Sequence, residues 1–427
     1  DVRRAADFAA KAQDVEPGNL DALGIAVVVA RLRGDRTAAA AALDRLEAVD
    51  PLSHQARLER LILAHAPDPA AALRRGIRSE LPEQTLLDLA AWYLDLDDRG
   101  TAEMALEAAG NQAEALYWRA FLRDDPEALL RAADAASPRL VFPFRPELLP
   151  ALEWAAARSQ NWQPTYYLAL TLWALGRSDQ AAEHFTKLGN RPDFAPGYAA
   201  RAALPGRPLA GTIADLRAAA MLDSTEWRYG KALAERLLDT GDPGAAVSMA
   251  QQYVARFPSN YILGLTLAKS LVAAGRYPDA DRLLGHLRVL PYEGAGEGRI
   301  LYRETKLMLA IEALRTGNWA TASRAITAAR EWPERLGAGK PYPADVDERL
   351  EDWLLAEVSD KRGQTVAASA IWTRLAASGA VPASAVGILP RLARHRLERT
   401  PFPALPELDA MAGSEARVLR AWLALPR

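Results

Sequence analysis

Glu293 and Glu297 stand four positions apart beside Tyr292, in the glycine-rich run Leu290–Arg299, and Glu348 and Asp352 repeat that spacing further along. Paired acidic side chains are what glycoside hydrolysis requires, one to protonate the leaving oxygen and one to act as nucleophile or base. Acidic residues abound here, so the second pair, within Asp345–Asp352, reads first as a solvated helix face. The first pair has a second reading, in which Glu293 or Glu297 accepts sugar hydroxyls beside Tyr292. Gly294, Gly296 and Gly298 superficially resemble a phosphate-cradling turn. No Lys-Ser/Thr follows, however, and the flanking carboxylates repel phosphate, so a structural loop is favoured. The 5 histidines are scattered without ligand spacing and there is no cysteine, which leaves metal and thiol chemistry without local support. No nucleophile turn of the Gly-x-Ser-x-Gly kind occurs. No catalytic residue, metal or cofactor is assigned within this chain.

Aromatic and cationic residues give the stronger signal. Trp162, Tyr166, Tyr167, Trp173, Trp319, Trp353 and Trp372 fall in helical stretches and read mainly as core. Phe142, Phe144 and Trp332 fall in loops, where aromatic side chains and Arg mark partner surfaces; folding of those loops onto neighbouring helices is the favoured reading over exposure. Arg145, Arg201 and Arg299 each close a distinctive block. Five donors let Arg brace irregular backbone or grip a carboxylate, and bracing is favoured. Lys340, between Gly339 and Pro341, reads as solvent-facing and able to meet an acidic group. The candidate binding set is therefore Phe142, Phe144, Arg145, Tyr292, Glu293, Glu297, Arg299, Trp332 and Lys340.

The elements that position these groups are written in glycine. Gly241 and Gly275 lie thirty-four residues apart, the tetratricopeptide (TPR) interval of a helix–turn–helix unit. Leu233-Ala234, Ala246, Ala250 and Pro258 surround the first, and Leu267-Ala268, Ala280, Leu284 and Pro291 the second. Gly34, Gly100, Gly176, Gly317 and Gly363 repeat the pattern, each expected to end a helix in the left-handed conformation. The expected fold is all-α, a right-handed TPR-like solenoid of antiparallel helix pairs with irregular inter-repeat loops. Its inner face is expected to carry Tyr166/Tyr167/Leu170, Arg228/Lys231/Glu235 and Tyr302/Lys306. Residues 1–136 read as N-terminal repeats, 137–210 as an irregular-loop segment, and 211–427 as C-terminal repeats with long loops and a terminal helix. In 427 residues, half of them apolar, such units stack because each can bury its apolar face only on a neighbour. A net charge of −2 with interspersed signs argues against nucleic acid or a membrane surface as partner. No apolar run approaches the ~18 residues of a membrane span. The compartment stays open, with the cytoplasm the preferred reading.

Several irregular blocks resemble one family. Val141–Arg145, Trp162 with Tyr166–Leu170, Arg191–Arg201, Leu290–Gly298 and Trp332–Pro341 occur in an order similar to that in large bacterial TPR proteins. In that family the array follows a β-sandwich region resembling mutarotase-like, sugar-binding folds. The resemblance implies such a domain upstream and carbohydrate as the substrate class to suspect, and it supplies no catalytic residue. Counting back from Pro17, Ala5, Ala9 and Ala12 fit the second helix of a repeat whose first helix is absent, so the chain reads as part of a longer protein. The function expected is a non-catalytic scaffold docking an upstream domain or another protein. The alternative is an accessory part of a carbohydrate-active enzyme.

Overall fold

The computed structural model describes residues 2–379, 381 and 383–426. Its helices group into two compact units, one ending at Gly197 and the other beginning at Tyr198. Among the described residues both are all-α, from helix Val2–Val15 to helix Ser414–Leu423, as the glycine pattern predicts.

Each unit repeats one three-residue joint. Leu20–Leu32 passes to Arg36–Val49 through Arg33-Gly34-Asp35, and Tyr261–Ala273 passes to Tyr277–His286 through Ala274-Gly275-Arg276. So short a link turns the second helix back alongside the first. The middle residue takes a positive φ, 75° at Gly34 and 73° at Gly241, which a residue with a Cβ enters at a cost of about 1 kcal/mol. The N–H groups of Gly241 and Asp242 then donate to the Leu238 and Leu237 carbonyls at 3.0 and 3.2 Å, satisfying otherwise orphaned helix-end acceptors. The third residue opens the next helix: Asp35, Asp242 and Asn318 each accept a backbone N–H three residues on. The second helix of one pair packs on the first of the next, which makes each unit a stack. Ala39, Leu43, Ala246, Ala250, Ala280 and Leu284 lie fully buried where the repeat pattern places them.

Two expectations are corrected. The joint read at Gly100 lies three residues earlier, where Asp97 takes φ 61° between helices Pro82–Asp95 and Arg99–Ala108. Asp tolerates the left-handed region better than most residues, so Gly100 sits inside the second helix. Between Gly275 and Gly317 the glycine spacing stretches to forty-two residues, most of the excess being helix. A second glycine series, Gly230, Gly264 and Gly298, keeps the thirty-four-residue step. A Cβ on Gly230 would lie 2.3 Å from the Tyr253 ring and one on Gly264 2.5 Å from Leu287. From Gly298 the 19-residue helix Glu297–Arg315 runs on where its counterparts have 13 residues, and absorbs most of the extra length. Finally, Tyr166, Tyr167 and Tyr302 are buried rather than lining an open face.

Each unit also carries long-range ion pairs. In the first, Arg31 forks onto Glu59 at 2.7 and 3.0 Å and reaches Asp98 at 2.6 Å, while Tyr93 donates to Glu59 at 2.9 Å. In the second, helix Ser414–Leu423 folds back onto Glu297–Arg315. Arg303 pairs with Glu415 at 2.7 Å, and Arg417 forks onto Glu304 at 2.6 and 2.7 Å. The two glycine environments predict opposite outcomes. Gly100→Ala is expected to stabilise by up to about 1 kcal/mol, and Gly241→Ala to destabilise by about as much. Urea unfolding midpoints that move in the same direction for both variants contradict the assignment.

Candidate functional site

The block Val141–Arg145 follows a turn in which Leu140 takes φ 58°. From there burial alternates residue by residue: Val141, Pro143 and Arg145 are buried, Phe142 and Phe144 exposed. That is the period-two pattern of extended chain. It corrects the expectation that these loop aromatics fold inward, for Phe142 keeps 59% and Phe144 50% of its surface in solvent. Among the described residues, no backbone–backbone hydrogen bond involves residues 141–144.

Arg145 holds the run in place. Its guanidinium donates to Asp88 Oδ1 at 2.8 Å, to Gln84 Oε1 at 2.7 Å and to the Gln84 carbonyl at 3.0 Å. It also lies 4.4 Å from the Phe144 ring centroid. The inward side is thereby fixed to helix Pro82–Asp95, and the outward side is left as two phenyl rings. These rings, Pro143 and the Leu170, Trp173 and Ala174 positions of helix Gln163–Ala174 enclose a predominantly apolar groove of about 440 Å³. The helix itself is anchored by aromatic packing: Trp162 against Phe194 at 6.1 Å and Trp173 against Phe185 at 6.2 Å. Leu170, expected on an inner face, and Trp173, expected in the core, lie three apart on one helix face and both border the groove.

The Gln84 side chain that accepts from Arg145 also donates toward a buried acid, Glu114, at 3.5 Å. Burial lifts the Glu114 carboxyl above the ordinary carboxylate range, partly offset by its Gln112 hydrogen bond and the Arg145 charge. One of its oxygens has no hydrogen-bond partner.

The remaining candidates lie in the second unit. Tyr292 and Glu293 are exposed on the loop before helix Glu297–Arg315, and Glu297 is exposed at its first position. Gly298 packs against Leu336. Arg299 is buried, donates to the Ala329 carbonyl at 2.8 Å and lies 4.6 Å from the Trp332 ring centroid; burial lowers its pKa. Val289 N–H donates to the Arg335 carbonyl at 2.8 Å, so the structure joins the Leu290–Arg299 and Trp332–Pro341 blocks. Trp332 is half-buried and Lys340 exposed. Glu348 and Asp352 are both engaged by Arg330, at 3.0 and 2.6 Å, and Arg374 adds a 2.9 Å contact to Asp352. Arg201 forks onto the buried Asp215 at 3.0 and 2.6 Å. Among the described residues no helix is long and apolar enough to cross a membrane.

Residues 237–288 match the tetratricopeptide repeat family, the stretch where the glycine interval is undisturbed. A tetratricopeptide repeat protein from Parabacteroides merdae is 14% identical, over 65% of this chain and 98% of that one, at a TM-score of 0.30. Yeast Tom70 is 13% identical over 93% and 85%, at 0.29. A chain of the APC/C hetero-tetramer Cut9-Hcn1 is 14% identical over 100% and 94%, at 0.30. No curated protein matches the chain.

Glu114 gives a pH-dependent prediction. A carboxyl raised on folding contributes stability that is fully present below its unfolded pKa of about 4.3 and is lost as pH rises through the folded value. Glu114→Gln is expected to approach the wild type near pH 4 and to become relatively more stable as pH rises toward about 8. Urea titrations showing the same difference across that range contradict this assignment.

Proposed function

We propose that the chain is a non-catalytic scaffold that docks an extended, apolar segment of a partner protein along Val141–Arg145. The carrying observation is the pairing of two exposed phenyl rings with backbone that lacks internal partners. In extended chain the N–H and C=O of Phe142 and Phe144 face one edge, where a second strand can pair with them. The rings and Trp173 then supply the apolar surface that gives such an interface its affinity. A TPR region and stacked helix pairs support this reading, since repeat stacks present extended binding surfaces. The family resemblance makes a sugar-binding-type β-sandwich domain of the same polypeptide the first partner to test. A specific contact with it should bury at least about 1,000 Å².

A random-peptide display library selected on the intact chain provides a test without a known partner. Apolar peptides should be enriched, and their affinity should fall at least tenfold on F142S/F144S. The unfolding midpoint should barely move, because exposed side chains contribute within about 0.5 kcal/mol. No enrichment, or peptides indifferent to both substitutions, overturns the proposal.

The exposed Tyr292, Glu293 and Glu297 give the carbohydrate reading its one specific support. If that loop serves a glycan site, Glu293→Gln with Glu297→Gln is expected to abolish glycan turnover or binding by the longer protein without lowering its thermal midpoint. Unchanged turnover and binding remove the loop from consideration.

A further inference from the structure

The C-terminal fold-back of the second unit encloses a cavity of about 430 Å³. Its aromatic walls are Trp319, Phe402 and Trp422, and its charged residues are Arg315, Glu357, Lys361 and Arg396. The cavity follows from the way this end closes. Trp422 sits edge-on to Trp353 at 5.0 Å and to Phe402 at 5.6 Å. The Arg303–Glu415 and Arg417–Glu304 pairs fasten the same helix on its other turns.

The charges are unequal. The single carboxylate, Glu357, is buried and already occupied: Arg396 forks onto it through Nε at 2.8 Å and Nη2 at 2.6 Å. The Arg396 guanidinium also lies 4.8 Å from the Phe402 ring centroid. Its remaining nitrogen, Nη1, has no hydrogen-bond partner among the described residues. Arg315 and Lys361 are exposed, and no ion pair or hydrogen bond engages either among the described residues. The lining therefore offers two uncommitted cations and an arginine donor beside three aromatic surfaces, with no free acceptor charge. A volume of this size suits a small molecule, and such sites combine apolar walls with a few placed polar groups.

We propose that this cavity binds a small organic carboxylate with an aromatic or similarly flat apolar body. The carboxylate sits between Arg315, Lys361 and Arg396, and the body lies among Trp319, Phe402 and Trp422. Glu357 acts as a positioning residue that holds the guanidinium. The site is independent of the Phe142–Phe144 groove, which belongs to the other unit.

The test uses the full chain with phenylacetate, its neutral analogue phenylacetamide and benzylphosphonate, followed by calorimetry and ligand-observed NMR. Phenylacetate should bind at least tenfold more tightly than phenylacetamide. R315E/K361E should lose at least tenfold in phenylacetate affinity while keeping the wild-type unfolding midpoint, since both side chains are exposed. Trp319→Ala should weaken phenylacetate and phenylacetamide alike. Three results overturn the proposal: no binding of phenylacetate at millimolar concentration, equal affinity for the amide, or full affinity in R315E/K361E. Tighter binding of benzylphosphonate than of phenylacetate overturns the carboxylate assignment.

Discussion

Buried guanidinium groups fasten the irregular parts of this chain to its helices. A repeat stack is stable because each helix pair buries its apolar face on the next, and any segment that leaves the period forfeits that burial. It also leaves backbone carbonyls without a helical ladder. Arg answers both needs, with five donors on one planar group. Arg145 ties Val141–Arg145 to Gln84 and Asp88, and Arg299 reaches the Ala329 carbonyl across Trp332. Arg303, and the more exposed Arg417, hold the returning terminal helix by ion pairs to Glu415 and Glu304. Burying a charge is costly unless it is paired; Arg145 meets that cost with Asp88 and Gln84, whereas Arg299 keeps the Ala329 carbonyl alone and two of its nitrogens have no hydrogen-bond partner.

The two functional proposals share that logic. Phe142 and Phe144 remain in solvent because the residues alternating with them are locked inward. Trp319, Phe402 and Trp422 border a cavity because ion pairs hold the terminal helix across a long helix rather than stacked beyond it. At the groove a rigid attachment keeps the two phenyl rings out of the core, where apolar burial would otherwise draw them; at the cavity Trp422 belongs to the core, and Trp319 and Phe402 pack against it.

Features with a local cause were legible in the sequence. A turn needing positive φ selects glycine, and Gly34, Gly176, Gly241, Gly275, Gly317 and Gly363 all take it. Where Asp97 did the same work, the nearest glycine drew the reading three residues astray. The Gly230–Gly264–Gly298 series is equally regular, but its cause lies outside each glycine's own backbone, in the close approach of Tyr253, Leu287 and Leu336. Long-range pairs left no local trace: Arg31 and Asp98 are 67 residues apart, Arg303 and Glu415 112. The groove was half legible. The loop phenylalanines stand out by composition, whereas Trp173 reads as helix core and Leu170 as inner face, and only the loop laid beside them makes both into groove.

If the extended aromatic run is the surface on which another protein segment adds, its backbone amides change state on binding. Amide hydrogen exchange, measured with and without a bound apolar peptide, addresses it at single-residue resolution. Rapid exchange is expected at Phe142 and Phe144 in the free chain, and strong protection of both once the peptide is bound. Protection confined to other helices, with those two amides unchanged, contradicts it.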